Sequence, residues 1–347
     1  MRILYISILA LVLLVGGYIW WWFQIASTME TLANDWREQR LAEGYEVSHD
    51  PLTTSGFPYR VRIDTENLSI SNPSHFQKPS AVFSRFWAVV QPWQVHHVIF
   101  GMEGESQINW LDGSEAKKLD LTAASSLGSA TFNKQGRIQA TALDITELKA
   151  IPSWRDPMTA KRVQVHGRPG PRNSDQEGDD TTASDQQIVI RINDLIIDGM
   201  ASFPLGKHIE EIALSSRLHG TIKRLPSRQT VIAWRNAGGF LDIASLKVIW
   251  GKGHIDGSGR LAIDEKYFPS GEFKSRISGY EDILQALVRT GKINNNNART
   301  IGTGLNMLAQ DDKEKGKYIA LPLIAQDGGL YLGPLYLMPL TPLFKDG

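Results

Sequence analysis

The chain has 347 residues, with 37 basic and 37 acidic side chains and no cysteine. The balance of charge argues against broad electrostatic binding of nucleic acid, which needs a basic surplus or a basic stripe. Without cysteine the chain has no disulfide, no thiolate nucleophile and no cysteine-ligated zinc or iron–sulfur centre. Apolar residues make up 42% of the chain, which is typical of a folded protein with one large domain or two medium domains.

Residues 1–25 predict a transmembrane anchor. Residues 3–23 carry no charged side chain, and a helix of that length, about 31 Å, covers a hydrocarbon core of about 30 Å. Trp20, Trp21 and Trp22 close the run and are predicted to lie at the membrane interface, because indoles prefer the headgroup zone. A cleaved signal peptide is the alternative, with Ala26-Ser27 as a weak cleavage site. The flanking charges nearly balance, and we expect the N-terminus inside.

Residues 26–44 predict an amphipathic stalk helix. Met29, Leu32, Ala33 and Trp36 recur at helical spacing, and Gly44 can end the helix. This stripe either packs against the domain that follows or lies on the membrane surface. We favour packing, which is the commoner arrangement of such a stripe.

Residues 45–166 predict an N-terminal antiparallel β half. From residue 57 apolar and polar side chains alternate, with Phe57, Tyr59, Val61 and Ile63 on one strand face. Such alternation is typical of strands with one buried and one wet face. Residues 167–187 then interrupt the pattern with prolines, glycines and acids and predict a disordered loop.

Residues 188–347 predict a C-terminal β-rich half with helices near 227–237, 281–290 and 298–309. Ser278-Gly-Tyr-Glu281 matches a capping box before the second of these helices. Residues 294–297, four asparagines, predict a polar loop before the third.

The fold class predicted is mainly β with α, namely a transmembrane helix followed by one or more curved antiparallel sheets with a few packing helices. Most strands are apolar on one side, and few helices are predicted to cover them, so the apolar side is either a filled core or an open groove for a lipid-like molecule. Gly257 and Gly259 would leave space at the centre of a groove. The residues predicted to face the groove or core are Ile212, Leu214, Leu218, Ile255, Leu261, Ile263, Phe273 and Ile277.

The sequence offers little sign of chemistry. It contains no HExxH motif, nucleophile elbow or P-loop, so no catalytic, metal-binding or cofactor-binding residue is predicted and we expect no enzyme. A membrane-proximal hydrolase stays open as one alternative, and it would need His219 or His254 beside an acid and a hydroxyl.

An ordered set of short motifs carries a resemblance to a known family. Together these motifs resemble the bacterial domain-of-unknown-function family 2125, found mainly in alphaproteobacteria. The resemblance implies an inner-membrane anchor with the bulk of the chain in the periplasm, and it offers no catalytic residues. By analogy it also suggests the architecture of AsmA-like proteins, which have an apolar concave sheet behind an N-terminal anchor. The motifs are Ala42-Glu-Gly44-Tyr, Gly56-Phe-Pro-Tyr-Arg60, Gln91-Pro-Trp93, His97-Val-Ile, Trp234-Arg-Asn-Ala-Gly-Gly239, Gly257-Ser-Gly-Arg-Leu261, Gly271, Gly279-Tyr280, Leu330 to Leu337 and Pro339-Leu340.

We therefore expect a single-pass inner-membrane protein that binds or conveys a lipid or another hydrophobe in an apolar β groove. The alternative is a non-enzymatic envelope scaffold or assembly factor that acts through protein contacts. The expected partners are membrane lipid and, in the alternative, an envelope protein, but not nucleic acid.

Overall fold

The structure, a computed structural model, describes residues 2–170, 185–220, 228–312 and 316–344. Within these residues the chain is mainly β with four α-helices. Every strand pairing among them is antiparallel. The predicted fold class is therefore confirmed. The chain divides into two compact units, Met1–Pro157 and Met158–Gly347, and each is described by itself.

The first unit opens with one uninterrupted helix, α1 (Arg2–Ala42), which is long and apolar enough to cross a membrane. Gly44, at a φ of 85°, ends it, and the amide of Tyr45 donates to the carbonyl of Arg40 at 3.0 Å. A glycine serves here because residues with a side chain rarely adopt positive φ. The predicted anchor and stalk are thus parts of a single helix.

The buried side of α1 is formed by Trp22, Ile25 and Ala26, with Met29 half-buried beside them. They pack on Val61 and Val90 of the first sheet. Of the predicted apolar stripe of the stalk, Met29 packs against this core and Ala33 is half-buried, whereas Leu32 and Trp36 are exposed. The helix turns by 100° per residue, so a few apolar residues do not determine which side meets the sheet.

The fourth and fifth strands, which are 12 and 19 residues long, are neighbours at the centre of the sheet of the first unit. The third strand pairs with two short strands along one edge and with the fourth along the other. The fifth strand is 19 residues long, so it pairs with the fourth on one side and in turn with the sixth and seventh on the other. The eighth pairs with both of these. The strands are β1 (Glu46–Ser48), β2 (Thr53–Ser55), β3 (Val61–Ser71), β4 (Ser80–Gln91), β5 (Gln94–Asp112), β6 (Glu115–Thr122), β7 (Ser125–Phe132) and β8 (Ile138–Pro152).

The alternation predicted from residue 57 begins only at Val61. Phe57 and Tyr59 lie in the turn between β2 and β3 and are exposed. From Val61 onward the pattern holds, because Val61 and Ile63 are buried and belong to the apolar side of the sheet. Apolar identity alone therefore extended the strand too far toward the N-terminus.

The second unit is an antiparallel meander with helices inserted at two places. Consecutive strands are neighbours in the sheet, except that β14 pairs with β16 and the short β15 pairs with the start of β16. Helix α2 follows β11, and helices α3 and α4 follow β14. The elements are β9 (Met158–Pro169), β10 (Gln186–Ile197), β11 (His208–His219), α2 (Arg228–Asn236), β12 (Phe240–Trp250), β13 (Gly253–Ile263), β14 (Pro269–Ser278), α3 (Tyr280–Arg289), α4 (Asn295–Leu308), β15 (Gln310–Asp312), β16 (Gly316–Gln326), β17 (Gly329–Leu332) and β18 (Leu335–Pro339).

The loop predicted over 167–187 is shorter at both ends. Strand β9 continues to Pro169, and Gln186 at the start of β10 pairs with it. Backbone pairing in a hairpin does not require apolar side chains, which is why composition missed these strand ends. Residues 171–184 lie outside the described residues, so the rest of that prediction stays untested.

The helices of the second unit begin differently from the sequence expectation. Helix α3 has Gly279 at its N-cap, with a φ of 65° and no side-chain hydrogen bond, so the capping box predicted at Ser278 is wrong. A Cβ at Gly279 would lie 1.9 Å from the carbonyl oxygen of Lys252, so close packing against the turn between β12 and β13 decides this helix start. In α4 the side chain of Asn294 accepts from the amide of Asn297 at 2.8 Å, so the asparagines predicted as a loop start the helix.

Trp234 is the buried residue of helix α2. The Nε1 of Trp234 donates to the carbonyl oxygen of His219 at 2.6 Å, and the ring lies against Gly239. A Cβ at Gly239 would stand 2.3 Å from that ring. This contact explains why Trp234 and Gly239 occur together in the sequence.

Candidate apolar binding face

Strand register brings the eight predicted groove residues to one face of the second sheet. Residues directly opposite each other on antiparallel strands share a face, and so do residues two apart along a strand. Ile212, Leu214 and Leu218 of β11 connect in this way through β12 to Ile255 and Leu261 of β13. Ile263 lies two residues further along β13, and Phe273 and Ile277 follow on β14. We call this side of the second sheet the apolar face.

The centre of the apolar face consists of three rows of residues that run across seven strands from β9 to β16. At about 4.8 Å between strands, each row is about 29 Å wide. The first row is entirely Val and Ile. The rows are Val163, Ile192, Ile212, Val248, Ile255, Ile277 and Ile319; then Val165, Ile190, Leu214, Leu246, Gly257, Ser275 and Leu321; then Gly167, Ile188, Ser216, Ile243, Gly259, Phe273 and Leu323.

Burial changes along the first row. Ile319 and Ile277 are 0% and 7% exposed, because Leu284 of α3 and Ile301 and Leu305 of α4 pack on them. Among the described residues this helix-covered cluster reaches no further than Ile255 on β13. The other four residues of the row, on β9 to β12, are half-buried. We call β14 and β16 the covered end of the apolar face and β9 to β12 its half-buried part.

The glycines at the centre do not leave the space that the sequence suggested. A Cβ at Gly257 would lie 2.6 Å from Cε1 of Phe273 and 2.2 Å from the carbonyl oxygen of Lys274. The ring of Phe273 therefore lies over Gly257. A glycine is needed here because a side chain would collide with the ring and with the neighbouring strand. The prediction that Gly257 and Gly259 open a gap is wrong, since an aromatic neighbour fills the room over Gly257.

The two polar side chains within the three rows form hydrogen bonds within the sheet. Ser216 donates to the carbonyl of Ile188 at 3.3 Å, and Ser275 donates to that of Leu321 at 2.6 Å. Both serines are buried. Their hydroxyls are satisfied by adjacent strands, so these rows present hydrocarbon surface rather than hydrogen-bonding groups.

Some residues of the apolar face were not singled out from the sequence. Ile188, Ile190 and Ile192 alternate with polar or exposed positions on β10. They lie opposite Ser216, Leu214 and Ile212 of β11. Their period of two was visible, but they directly follow the segment interpreted as a loop. Leu246 and Val248 were harder to assign, because β12 has an irregular register between Ile243 and Leu246 that shifts the alternation.

The three tryptophans predicted at the membrane interface have different surroundings. Trp20 and Trp21 are exposed, whereas Trp22 is 4% exposed and lies in the core between α1 and the first sheet. The Nε1 of Trp22 donates to the carbonyl oxygen of Arg60 at 3.0 Å. Trp22 therefore contacts protein, and the interfacial role of Trp20 and Trp21 stays a prediction.

The histidines considered for catalysis are in ordinary sheet positions. The Nδ1 of His219 lies 3.0 Å from a carboxylate oxygen of Asp185, and its ring stacks on Phe240 at 4.2 Å between centroids. His254 is half-buried on β13, opposite Ser278. No group of three or more His, Asp or Glu side chains that could hold a metal occurs in the described part of the chain.

A charged network lies on the side of the first sheet that faces away from Val61 and Ile63. Asp64 accepts hydrogen bonds from Arg62 at 2.6 and 2.7 Å and from Arg85 at 2.8 Å. Both arginines also approach Glu103, at 3.7 and 3.3 Å. The hydrogen bonds and charge of Arg62, assisted by Arg85, hold the pKa of Asp64 below its ordinary value, although burial acts in the opposite direction. This network links β3, β4 and β5 of the first sheet.

Comparison with known proteins gives a family but no characterised relative. No curated protein and no solved structure matches the chain. A family model described as an uncharacterized protein conserved in bacteria (DUF2125) matches residues 22–341, which include the buried Trp22, both sheets and all of α2 to α4. The chain therefore belongs to this family of uncharacterised bacterial proteins.

Proposed function

We propose that this protein is anchored in the bacterial inner membrane and binds the acyl chain of a membrane lipid on the half-buried part of its apolar face. In this proposal both units lie in the periplasm. The observation that carries it is the first row of Val and Ile side chains, which continues across β9 to β12 beyond the reach of α3 and α4.

The anchor is supported by the way α1 joins the first unit. Trp22 and Ile25 belong to the core that includes Val61 and Val90. Cleavage after Ala26, the alternative considered for the sequence, would remove both side chains from that core. Retention of the helix is therefore the arrangement that keeps the first unit intact, and a retained apolar helix of this length holds the protein at a lipid source.

The chemistry of the apolar face favours hydrocarbon over a peptide. A peptide brings backbone amides and carbonyls that must be satisfied when they are buried. The three rows supply apolar side chains, glycines and two serines whose hydroxyls are already bonded within the sheet. An acyl chain needs no hydrogen-bond partner, and each methylene that it buries contributes about 0.8 kcal/mol to the free energy of binding.

The experiment compares two adjacent residues of β10 that point to opposite sides of the sheet. Ile190 lies in the second row and is half-buried, while Val189 is exposed on the other side. Full-length wild type, Ile190→Glu and Val189→Glu are purified in mild detergent, and co-purifying lipids are measured by mass spectrometry. We expect bound phospholipid with wild type and Val189→Glu and a large loss with Ile190→Glu, because a carboxylate is costly beside hydrocarbon.

Circular dichroism and thermal unfolding establish whether both variants remain folded. The proposal is contradicted if wild type carries no lipid, or if Ile190→Glu remains folded and retains as much as Val189→Glu. Stable recovery of a protein partner without lipid by crosslinking would instead support the scaffold alternative.

A further inference from the structure

Two loops of the first unit are fastened to α1 by hydrogen bonds from its aromatic side chains. Trp22 donates to the carbonyl oxygen of Arg60, and Tyr18 donates to that of Pro58, both in the turn between β2 and β3. Trp21 donates from Nε1 to the carbonyl oxygen of Pro92 at 3.0 Å, in the turn between β4 and β5. These bonds fix the position of both turns along the helix axis.

The fastened position is the end of the apolar run. Residues 18–22 form just over one turn of helix, a rise of about 6 Å, and the apolar run ends one residue later at Phe23, before the polar side chain of Gln24. In a membrane, this is where a helix passes from the hydrocarbon core to the headgroups. The two turns are therefore held at that same level.

Both turns expose large aromatic side chains at this level. Phe57 is 51% exposed, Tyr59 75% and Trp93 63%. Trp20, which lies between Tyr18 and Trp22 on α1, is similarly exposed. Aromatic rings with a polar edge are enriched where a protein meets headgroups, because one part of the ring is apolar and another forms hydrogen bonds. Arg60, also exposed, adds a cation suited to lipid phosphates.

We propose that Phe57, Tyr59 and Trp93, together with Trp20 of α1, form an aromatic collar that inserts into the headgroup zone of the bilayer. The first unit then rests directly on the membrane surface. The residues of α1 beyond the collar are not a spacer in this arrangement, because Arg37 donates from Nε to the carbonyl oxygen of Val47 of β1 at 3.3 Å. The occupant of the collar is the bilayer that holds α1, since hydrogen bonds connect the two turns to the end of the apolar helix.

Site-directed spin labelling tests the collar, because a chain without cysteine accepts single labels cleanly. Tyr59→Cys and Trp93→Cys place labels in the collar. Phe76→Cys is the matched control, since Phe76 is 79% exposed in the turn at the far end of the β3–β4 hairpin. The 11 residues of β3 separate it from the collar by about 36 Å.

The full-length variants are reconstituted in vesicles of phosphatidylcholine and phosphatidylglycerol, and label accessibility to oxygen and to a water-soluble nickel chelate is measured. We expect the labels at 59 and 93 to collide several-fold less often with the nickel chelate than the label at 76, and more often with oxygen. Equal accessibility of all three labels to the nickel chelate would overturn the proposal.

A second measurement uses no spin label and makes one conservative substitution in the collar. Trp93→Phe is compared with wild type for quenching of tryptophan fluorescence by lipids brominated near the headgroup. We expect the quenched fraction to fall in the variant, because Trp93 would be one of the indoles in contact with lipid. An unchanged quenched fraction would contradict the collar. The collar rests on the membrane anchor of the proposed function. Neither measurement depends on lipid binding by the second unit, so failure of the collar and failure of lipid binding are distinguishable.

Discussion

In both units helices cover part of the apolar side of the sheet, but these helices come from different parts of the chain. Each sheet has an apolar side, and in each a helix buries one part of it completely. In the first unit the cover is Trp22 and Ile25 of α1, which lie over Val61 and Val90. In the second unit the cover is α3 and α4, which the second unit supplies itself. The core of the first unit therefore includes the helix that is long and apolar enough to cross a membrane, whereas the described core cluster of the second unit is covered by that unit's own helices.

Both units also use the same local device within their sheets. The ring of Phe100 lies over Gly128 in the first unit, and the ring of Phe273 lies over Gly257 in the second. Each phenylalanine and its glycine lie on neighbouring strands. A flat sheet face is filled in this way without a helix, because an aromatic ring covers the backbone that a glycine leaves bare.

The largest expected effect is a loss of stability in the first unit when the packing of α1 on its sheet is weakened. Trp22→Ala removes the indole from the first core, and we expect a loss of about 3–5 kcal/mol of stability. Hydrogen exchange measured by mass spectrometry should show faster exchange in β3 and β4 and unchanged exchange in β14 and β16. Trp20→Ala is the control, because Trp20 is exposed. Faster exchange throughout both units would show that their stabilities are coupled.

The next effect separates the covered end of the apolar face from its half-buried part. Ile319→Ala should cost about 2–5 kcal/mol, because Ile319 is fully buried beneath the helices. Ile212→Ala, in the same row, should cost about 1 kcal/mol, since its side chain is only partly removed from water. Urea unfolding in mild detergent measures both. An equal cost at the two positions would mean that the half-buried part is packed as tightly as the covered end.

The smallest effect is specific to the first unit and depends on pH. Because the folded pKa of Asp64 is lowered, its contribution is complete above the unfolded pKa of about 3.9 and is lost as the pH falls through the folded pKa. We expect Asp64→Asn to destabilise the first unit by about 1–3 kcal/mol at neutral pH. The variant should also lose less stability than wild type as the pH falls below about 3.9 and through the lowered folded pKa of Asp64.

Thermal unfolding followed by circular dichroism at several pH values measures this difference. Asp112→Asn is the matched control, because Asp112 is exposed at the end of β5. If Asp64→Asn and wild type respond identically to acid, Asp64 does not carry the expected charge-dependent stabilisation.

The fold class followed from the sequence because strand alternation is a local property. Ile212, Leu214 and Leu218 reveal the buried side of β11 without knowledge of any neighbour. The order of the rows, in contrast, depends on register between distant strands and on the irregularity in β12. That information is not contained in any short segment, so the continuity of the apolar face became visible only in the structure.

The errors at helix ends and glycines share a physical cause. Gly279 begins α3 because the carbonyl of Lys252 lies too close for a side chain, and Gly257 is small because Phe273 covers it. Both reasons are tertiary contacts, which override local capping and turn preferences. The burial of Trp22 is similar, since its hydrogen bond to Arg60 spans 38 residues of sequence.

The continuity of α1 has a mechanical consequence. From Arg2 to Ala42 the helix runs about 62 Å without interruption, and the first unit is fastened to it in the middle by Trp21 and Trp22. Membrane helices adapt to bilayer thickness by tilting. If α1 spans a bilayer as proposed, a thinner or thicker bilayer would change the tilt of α1 and of the strands packed on it, so lipid composition would set the orientation of the first unit without any ligand being bound.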